Sequence, residues 1–108
     1  GVSKTLKYTS LIQKMVAKVE EKLDKELSYE TLNYARLVNH LRFALERVEQ
    51  GEVEPNPMLE NIKNNFPEAY AISIDLAQMI ETELEIEVPQ DEVGYLAIHI
   101  QRLKRDLK

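Results

Sequence analysis

Two side chains in this chain are suited to covalent chemistry near neutral pH: His40 and His99. An imidazole titrates close to neutrality, so its uncharged form leaves one ring nitrogen with a lone pair that can attack an electrophile such as phosphorus. If both residues lie on helices, spacings of three, four and seven residues give each a set of neighbours. Arg36, Phe43 and Arg47 share the side of His40, and Glu92, Tyr95, Arg102 and Asp106 share the side of His99. A phosphoryl group needs cationic donors for its equatorial oxygens, and the guanidinium groups of Arg47 and Arg102 are suited to supply them. Glu92 is a candidate to orient the second nitrogen of a ring. The competing reading of each residue is structural. A histidine at the edge of a core face can simply pack with its nitrogens hydrogen-bonded, and a nearby arginine can be a solvated surface charge.

Other chemistries find less support. The chain has no cysteine, hence no disulfide, thiolate metal site or thiol nucleophile, and this suits a reducing cytoplasm. Two histidines without HxxxH or HExxH spacing would need carboxylates to complete a metal shell, so no metal site is expected. No nucleophile elbow, phosphate-cradling glycine loop or paired-carboxylate pattern is present, so neither catalytic residues nor a cofactor are expected and the chain does not read as an enzyme. With 19 acids against 14 bases the net charge is -5, a field that repels nucleic-acid backbones. No apolar run approaches the ~20 residues needed to cross a bilayer, and no signal peptide is recognisable, so a soluble cytoplasmic domain without membrane or direct nucleic-acid contacts is expected. The start at Gly1 rather than methionine suggests a segment of a longer protein.

The elements that must position the histidines follow from periodicity. Tyr8, Ile12, Met15, Val19 and Leu23 predict a helix from about Lys4 to Leu27. Ser28 is placed as the N-cap of a second helix, with Glu30 in its first turn. That helix runs to about Gln50 and buries Tyr34, Leu37, Leu41, Ala44 and Val48, and Gly51 supplies the left-handed residue that ends it. GEVEPNPM, with two prolines, is a loop. Met58 to Asn65 predicts a short helix, and Pro67 opens another through about Leu84 that buries Tyr70, Ile74, Ala77 and Ile80. Pro89 opens the last helix, whose seam is Val93, Leu96, Ile100, Leu103 and Leu107. Gly94 within it either permits close approach of another group or is merely tolerated. No repeat of fixed period is evident. The reading is a single all-α domain over residues 1–108, a compact bundle of about five helices, four long and one short.

Both histidine segments also look familiar as motifs. LVNHLRFALERVEQG (Leu37 to Gly51) and DEVGYLAIHIQRL (Asp91 to Leu103) resemble the two histidine-bearing segments of the phosphotransferase-system regulation domain (PRD) of bacterial transcriptional antiterminators and related activators. NPMLENIKNNFPEAYAIS resembles that family's middle section, so the likeness spans nearly the whole chain in order. The resemblance implies a five-helix regulatory domain that usually occurs in tandem, dimerises, and is phosphorylated on histidine by the phosphocarrier protein or a sugar permease component of the phosphoenolpyruvate-dependent transport system. By position it makes His40 and His99 the acceptors, matches Arg47 to the arginine that follows the first histidine, and matches Asn56 and Pro57 to the family's Asn-Pro pair. Many first copies carry Asp before the first histidine, where this chain has Asn39, and DEVGYLAIHIQRL looks more like a second copy, which favours the phosphocarrier protein as donor. In the family, the state of the dimer interface decides whether an attached RNA-binding domain dimerises and prevents a terminator from forming. The alternative is a helical dimerisation module that is never phosphorylated.

Overall fold

The computed structural model describes residues 2–107; Gly1 and Lys108 lie outside it. Five helices follow in order: α1 (Val2–Leu23), α2 (Leu32–Glu49), α3 (Leu59–Asn65), α4 (Pro67–Leu84) and α5 (Gln90–Asp106). The described residues contain no strand, and the all-helical reading holds. α1 packs on α2 and α4, α5 packs on α2, α3 and α4, and short α3 also touches α4. Apolar stripes from the four long helices meet in one core, with Met15, Val19, Leu41, Leu45, Leu76, Ile80 and Ile100 sealed from solvent.

The helix boundaries depart from the periodic pattern at one joint. α1 stops at Leu23 rather than Leu27 because Asp24 turns into the left-handed region at φ 55°. Leu27 still reaches the core, but from the connection, and its N–H is accepted by Glu20 Oε2 at 2.8 Å. Ser28 is not the cap of α2. Its carbonyl accepts from the Thr31 N–H and hydroxyl, closing a turn, and the Thr31 hydroxyl oxygen accepts from Tyr34 N at 3.2 Å as the N-cap. Either residue type can cap. The turn at Ser28 delays the helix by one full turn. On α4 the buried side is Ala69, Ile72, Ser73, Leu76, Ala77 and Ile80. Ile74, expected inside, is 39% exposed, because the polar Ser73 takes the inner position by donating its hydroxyl to the Ala69 carbonyl.

The joint between α4 and α5 repeats the device used between α1 and α2. Glu85 takes the left-handed conformation at φ 56°, and Glu81 Oε2 accepts from the N–H of buried Val88 at 2.9 Å. The two segments are EEKLDKEL (Glu20 to Leu27) and ETELEIEV (Glu81 to Val88), the same pattern of Glu, Leu, acid, Glu and aliphatic residue. A glutamate one turn before the helix end thus caps the linker in both places. The domain is built around two similar helix hairpins, α1–α2 and α4–α5, each carrying its histidine in the second helix.

Candidate functional site

α2 and α5 cross the core side by side and run antiparallel. Their stripes, Leu37, Leu41, Ala44, Leu45 and Val48 on one and Val93, Leu96, Ala97, Ile100 and Leu103 on the other, are buried. His40 and His99 stand at the rims of these stripes, where the two helices face each other. The imidazoles stack, with ring centroids 3.5 Å apart and planes inclined by 13°. Seven residues along α2 from His40, and seven back along α5 from His99, a second pair meets. Arg47 donates from Nε to Glu92 Oε2 at 3.2 Å and from Nη2 to Glu92 Oε1 at 2.5 Å. Seven residues is two helical turns. Both pairs therefore lie on one antiparallel register, and packing of α2 on α5 sets them together.

The stack opens on a cleft of about 590 Å³ lined by Asn33, Arg36, Leu37, His40, His99, Arg102, Leu103, Arg105 and Asp106. Both rings are half-buried, with His99 the deeper. Burial, with Arg102, Arg47 and Arg36 nearby, lowers the pKa of His40. Burial pushes His99 down to about 4, helped by the His40 ring, Arg102 and Arg47. Both imidazoles are consequently neutral at pH 7, the form in which a ring nitrogen is nucleophilic. Among the described residues no protein group hydrogen-bonds a nitrogen of either ring. Among the described residues no side-chain nitrogen sealed from solvent lacks a partner, so these ring nitrogens reach water.

The remaining residues singled out from the sequence divide into four groups. Arg102 lines the cleft. Arg47 and Glu92 form a brace two turns away, and Glu92, its side chain 3% exposed, spends both carboxylate oxygens on Arg47 rather than orienting an imidazole. The pairing holds the Arg47 pKa up. Asn39 points outward and its Oδ1 accepts from Arg42 Nη1 at 3.4 Å. Asn56 and Pro57 lie away from the cleft. Asn56 is buried, donates from Nδ2 to the Asp91 carbonyl at 3.3 Å, and accepts from Met58 N at 3.1 Å, while exposed Pro57 stays beside it in the turn. That explains Gly94: a Cβ there would stand 2.5 Å from Asn56 Nδ2 and 2.9 Å from Leu59 Cδ1. The Asn56 turn and α3 close over the start of α5, helped by the Tyr95 hydroxyl donating to the Pro55 carbonyl at 2.5 Å. Arg36, which shares a helix side with His40, proves to line the cleft as well, as do Asn33 and Arg105. Asp106 shares the cleft but is bound to Arg105, and the described residues hold no group of three histidines and acids placed to take a metal ion. No helix of the described residues is long and apolar enough to cross a membrane.

A family model described as the PRD domain matches residues 13–103, from the middle of α1 to the last turn of α5 and including both histidines. The chain belongs to the PRD family. That family is regulatory rather than enzymatic. The PRD is 31% identical to the transcription antiterminator LicT of Bacillus subtilis, over 91% of this chain and 36% of that protein. It is 29% identical to the PtsGHI operon antiterminator of the same organism, over 94% of this chain and 37% of the relative. It is 28% identical to protein GlcT of Staphylococcus haemolyticus, over 95% and 38%. This PRD thus spans less than two fifths of the length of these curated relatives. Among solved structures it is similar to the crystal structure of GlcT CAT-PRDI, with a TM-score of 0.76 and 25% identity over 89% of this chain and 56% of that one.

Proposed function

We propose that this PRD is the phospho-acceptor module of a sugar-responsive transcription antiterminator, phosphorylated on His40 and His99 by the phosphocarrier protein or a sugar permease component of the phosphotransferase system. The observation that carries the reading is the pair of stacked, neutral imidazoles facing an open, arginine-lined cleft. The neutral ring nitrogen attacks the phosphorus of a donor phosphohistidine, and a new N–P bond forms as the donor's N–P bond breaks. The electron pair of the broken bond stays on the donor nitrogen, which takes a proton from solvent, while the acceptor ring releases its other N–H proton to solvent. Charge developing on the transferred oxygens is met by guanidinium groups. The DEVGYLAIHIQRL segment favours assignment as a second copy of the tandem, and with it the phosphocarrier protein as donor.

The regulatory output follows from charge. A phosphoryl group adds about -1.5 to -2 at the α2–α5 face, which either draws in arginines or repels a facing subunit. A homodimer formed through this face is thereby biased, and in the full-length cytoplasmic protein that bias controls RNA binding by a domain outside this chain. A module that only dimerises and is never phosphorylated has less support, because it calls for neither solvent-reaching ring nitrogens nor an arginine-lined cleft beside them. The test is labelled-phosphate transfer from phosphoenolpyruvate through the two general phosphotransferase proteins to the chain, with and without His40→Ala and His99→Ala. Label lost in the double variant supports the reading. An unlabelled wild-type chain, folded and supplied with its native donors, would sink it.

A further inference from the structure

Four arginines surround the histidine pair, and they are not equivalent. Arg47 gives two hydrogen bonds to Glu92. Arg105 donates from Nε to Asp106 Oδ1 at 3.3 Å. Arg36 and Arg102 line the cleft, are exposed, and among the described residues engage in no hydrogen bond or ion pair. Each guanidinium has five N–H donors in a planar fork, matched to phosphate oxygens and here not consumed by protein acceptors. Their placement is also paired. Arg36 stands four residues before His40 on α2, and Arg102 three residues after His99 on α5. Because the helices are antiparallel, both fall on the same side of the imidazole stack, one from each wall, and opposite to Arg47. Arg36 is near enough to His40 to act on its titration. In a domain of net charge -5, this is a local cationic recess whose attraction for an anion acts only within about a Debye length, ~8 Å at physiological salt.

We propose that Arg36 and Arg102 form a two-armed clamp for phosphoryl oxygens, holding the group during its transfer to the stack and afterwards on the phosphohistidine, while Arg47 serves only to brace α2 against α5. This rests on the phosphorylation reading above, and the covalent step is the one balanced there. The clamp adds no new bond to phosphorus. Arg36 and Arg102 are positioning residues for the acceptor's product, and the family motif's arginine, Arg47, is not one of them.

The experiment compares the chain with its Arg36→Ala, Arg102→Ala and Arg36→Lys variants, and with Arg42→Ala, an exposed arginine of α2 outside the cleft. Three quantities are read for each: the initial transfer rate from phosphorylated phosphocarrier protein, the half-life of the isolated phosphohistidine at neutral pH, and the melting temperature. Losing a charge-assisted hydrogen bond to the phosphoryl group should slow transfer about 10- to 100-fold in each alanine variant. It should also change the phosphohistidine half-life, leave the melting temperature within about 2 °C because both side chains are exposed, and be partly restored in Arg36→Lys. Arg42→Ala should match the unsubstituted chain. In parallel, inorganic phosphate titrated into the unphosphorylated chain should shift the ring-proton resonances of His40 and His99, and the shift should vanish in Arg36→Ala and Arg102→Ala. Transfer at an unchanged rate in Arg36→Ala overturns the clamp and leaves histidine phosphorylation standing. No transfer to the unsubstituted chain removes the phosphorylation reading and the clamp with it.

Discussion

Removing Arg47 should cost far more than removing the glutamate it holds. In Arg47→Ala the Glu92 carboxylate, its side chain 3% exposed, loses two charge-assisted hydrogen bonds and is left charged without a partner. Breaking a buried pair from one side costs about 3–5 kcal/mol. In Glu92→Ala the orphan is Arg47, whose side chain is 30% exposed and can turn to water, so the cost falls to about 1–2 kcal/mol. Replacing both, as Arg47→Met with Glu92→Leu, removes the desolvation penalty along with the attraction and should lie within about 1 kcal/mol of the original. Urea unfolding followed by far-ultraviolet circular dichroism measures all four, with the slope required to stay constant. For a domain of this size an Arg47→Ala loss of that magnitude lowers the melting temperature by more than about 12 °C. A loss below about 0.5 kcal/mol, or a larger one in Glu92→Ala than in Arg47→Ala, would refute the brace.

Further predictions follow from other contacts. Gly94→Ala should destabilise by about 1–3 kcal/mol through overpacking on Asn56 and Leu59, despite the helix propensity gained, and Asn56→Ala should relieve part of it, giving a coupling of about 1 kcal/mol in a double-mutant cycle. Thr31→Ala should cost about 1 kcal/mol as the loss of an N-cap, and Ser28→Ala less than half of that, in the same unfolding assay. Since His99 is pushed from 6.5 to about 4, the unfolded chain binds a proton that the folded chain refuses between those values. Its contribution to stability is complete above about pH 6.5 and is lost as the pH falls towards 4. Allowing for solvent around a half-buried ring, the loss is about 1–2 kcal/mol, and it should be absent from the pH profile of the His99→Asn variant.

The helices were legible because the residues that drive them repeat every three or four positions, and Pro67, Pro89 and Gly51 punctuate them. The joints were less so. Ser28 and Thr31 are both good caps, and only the tertiary position of Leu27, pinned by Glu20, decides between them. Ile74 misled because hydrophobicity outranks a serine in any pattern, while in the fold Ser73 satisfies its hydroxyl on its own helix and takes the inner place. The shared hairpin ending was visible in EEKLDKEL and ETELEIEV, but it is two copies of a short pattern rather than a periodic array. At the site, spacing grouped each histidine with its own helix neighbours. It gave no register between α2 and α5, so neither the stack nor the Arg47–Glu92 pair could be read. For the same reason spacing makes Arg47 look like a free donor, and it places Arg36 beside His40 without marking it as a cleft residue.

The decisive question is whether the stacked imidazoles accept phosphate. Proton–nitrogen correlation spectra of the two rings, recorded during reconstituted transfer from phosphoenolpyruvate, test this directly. A phosphohistidine signal should appear at His40, at His99 or at both, and the resonances of both rings should move, because their centroids lie 3.5 Å apart and they share one environment. Unchanged signals from His40 and His99 in a folded chain exposed to its phosphorylated donor would contradict it.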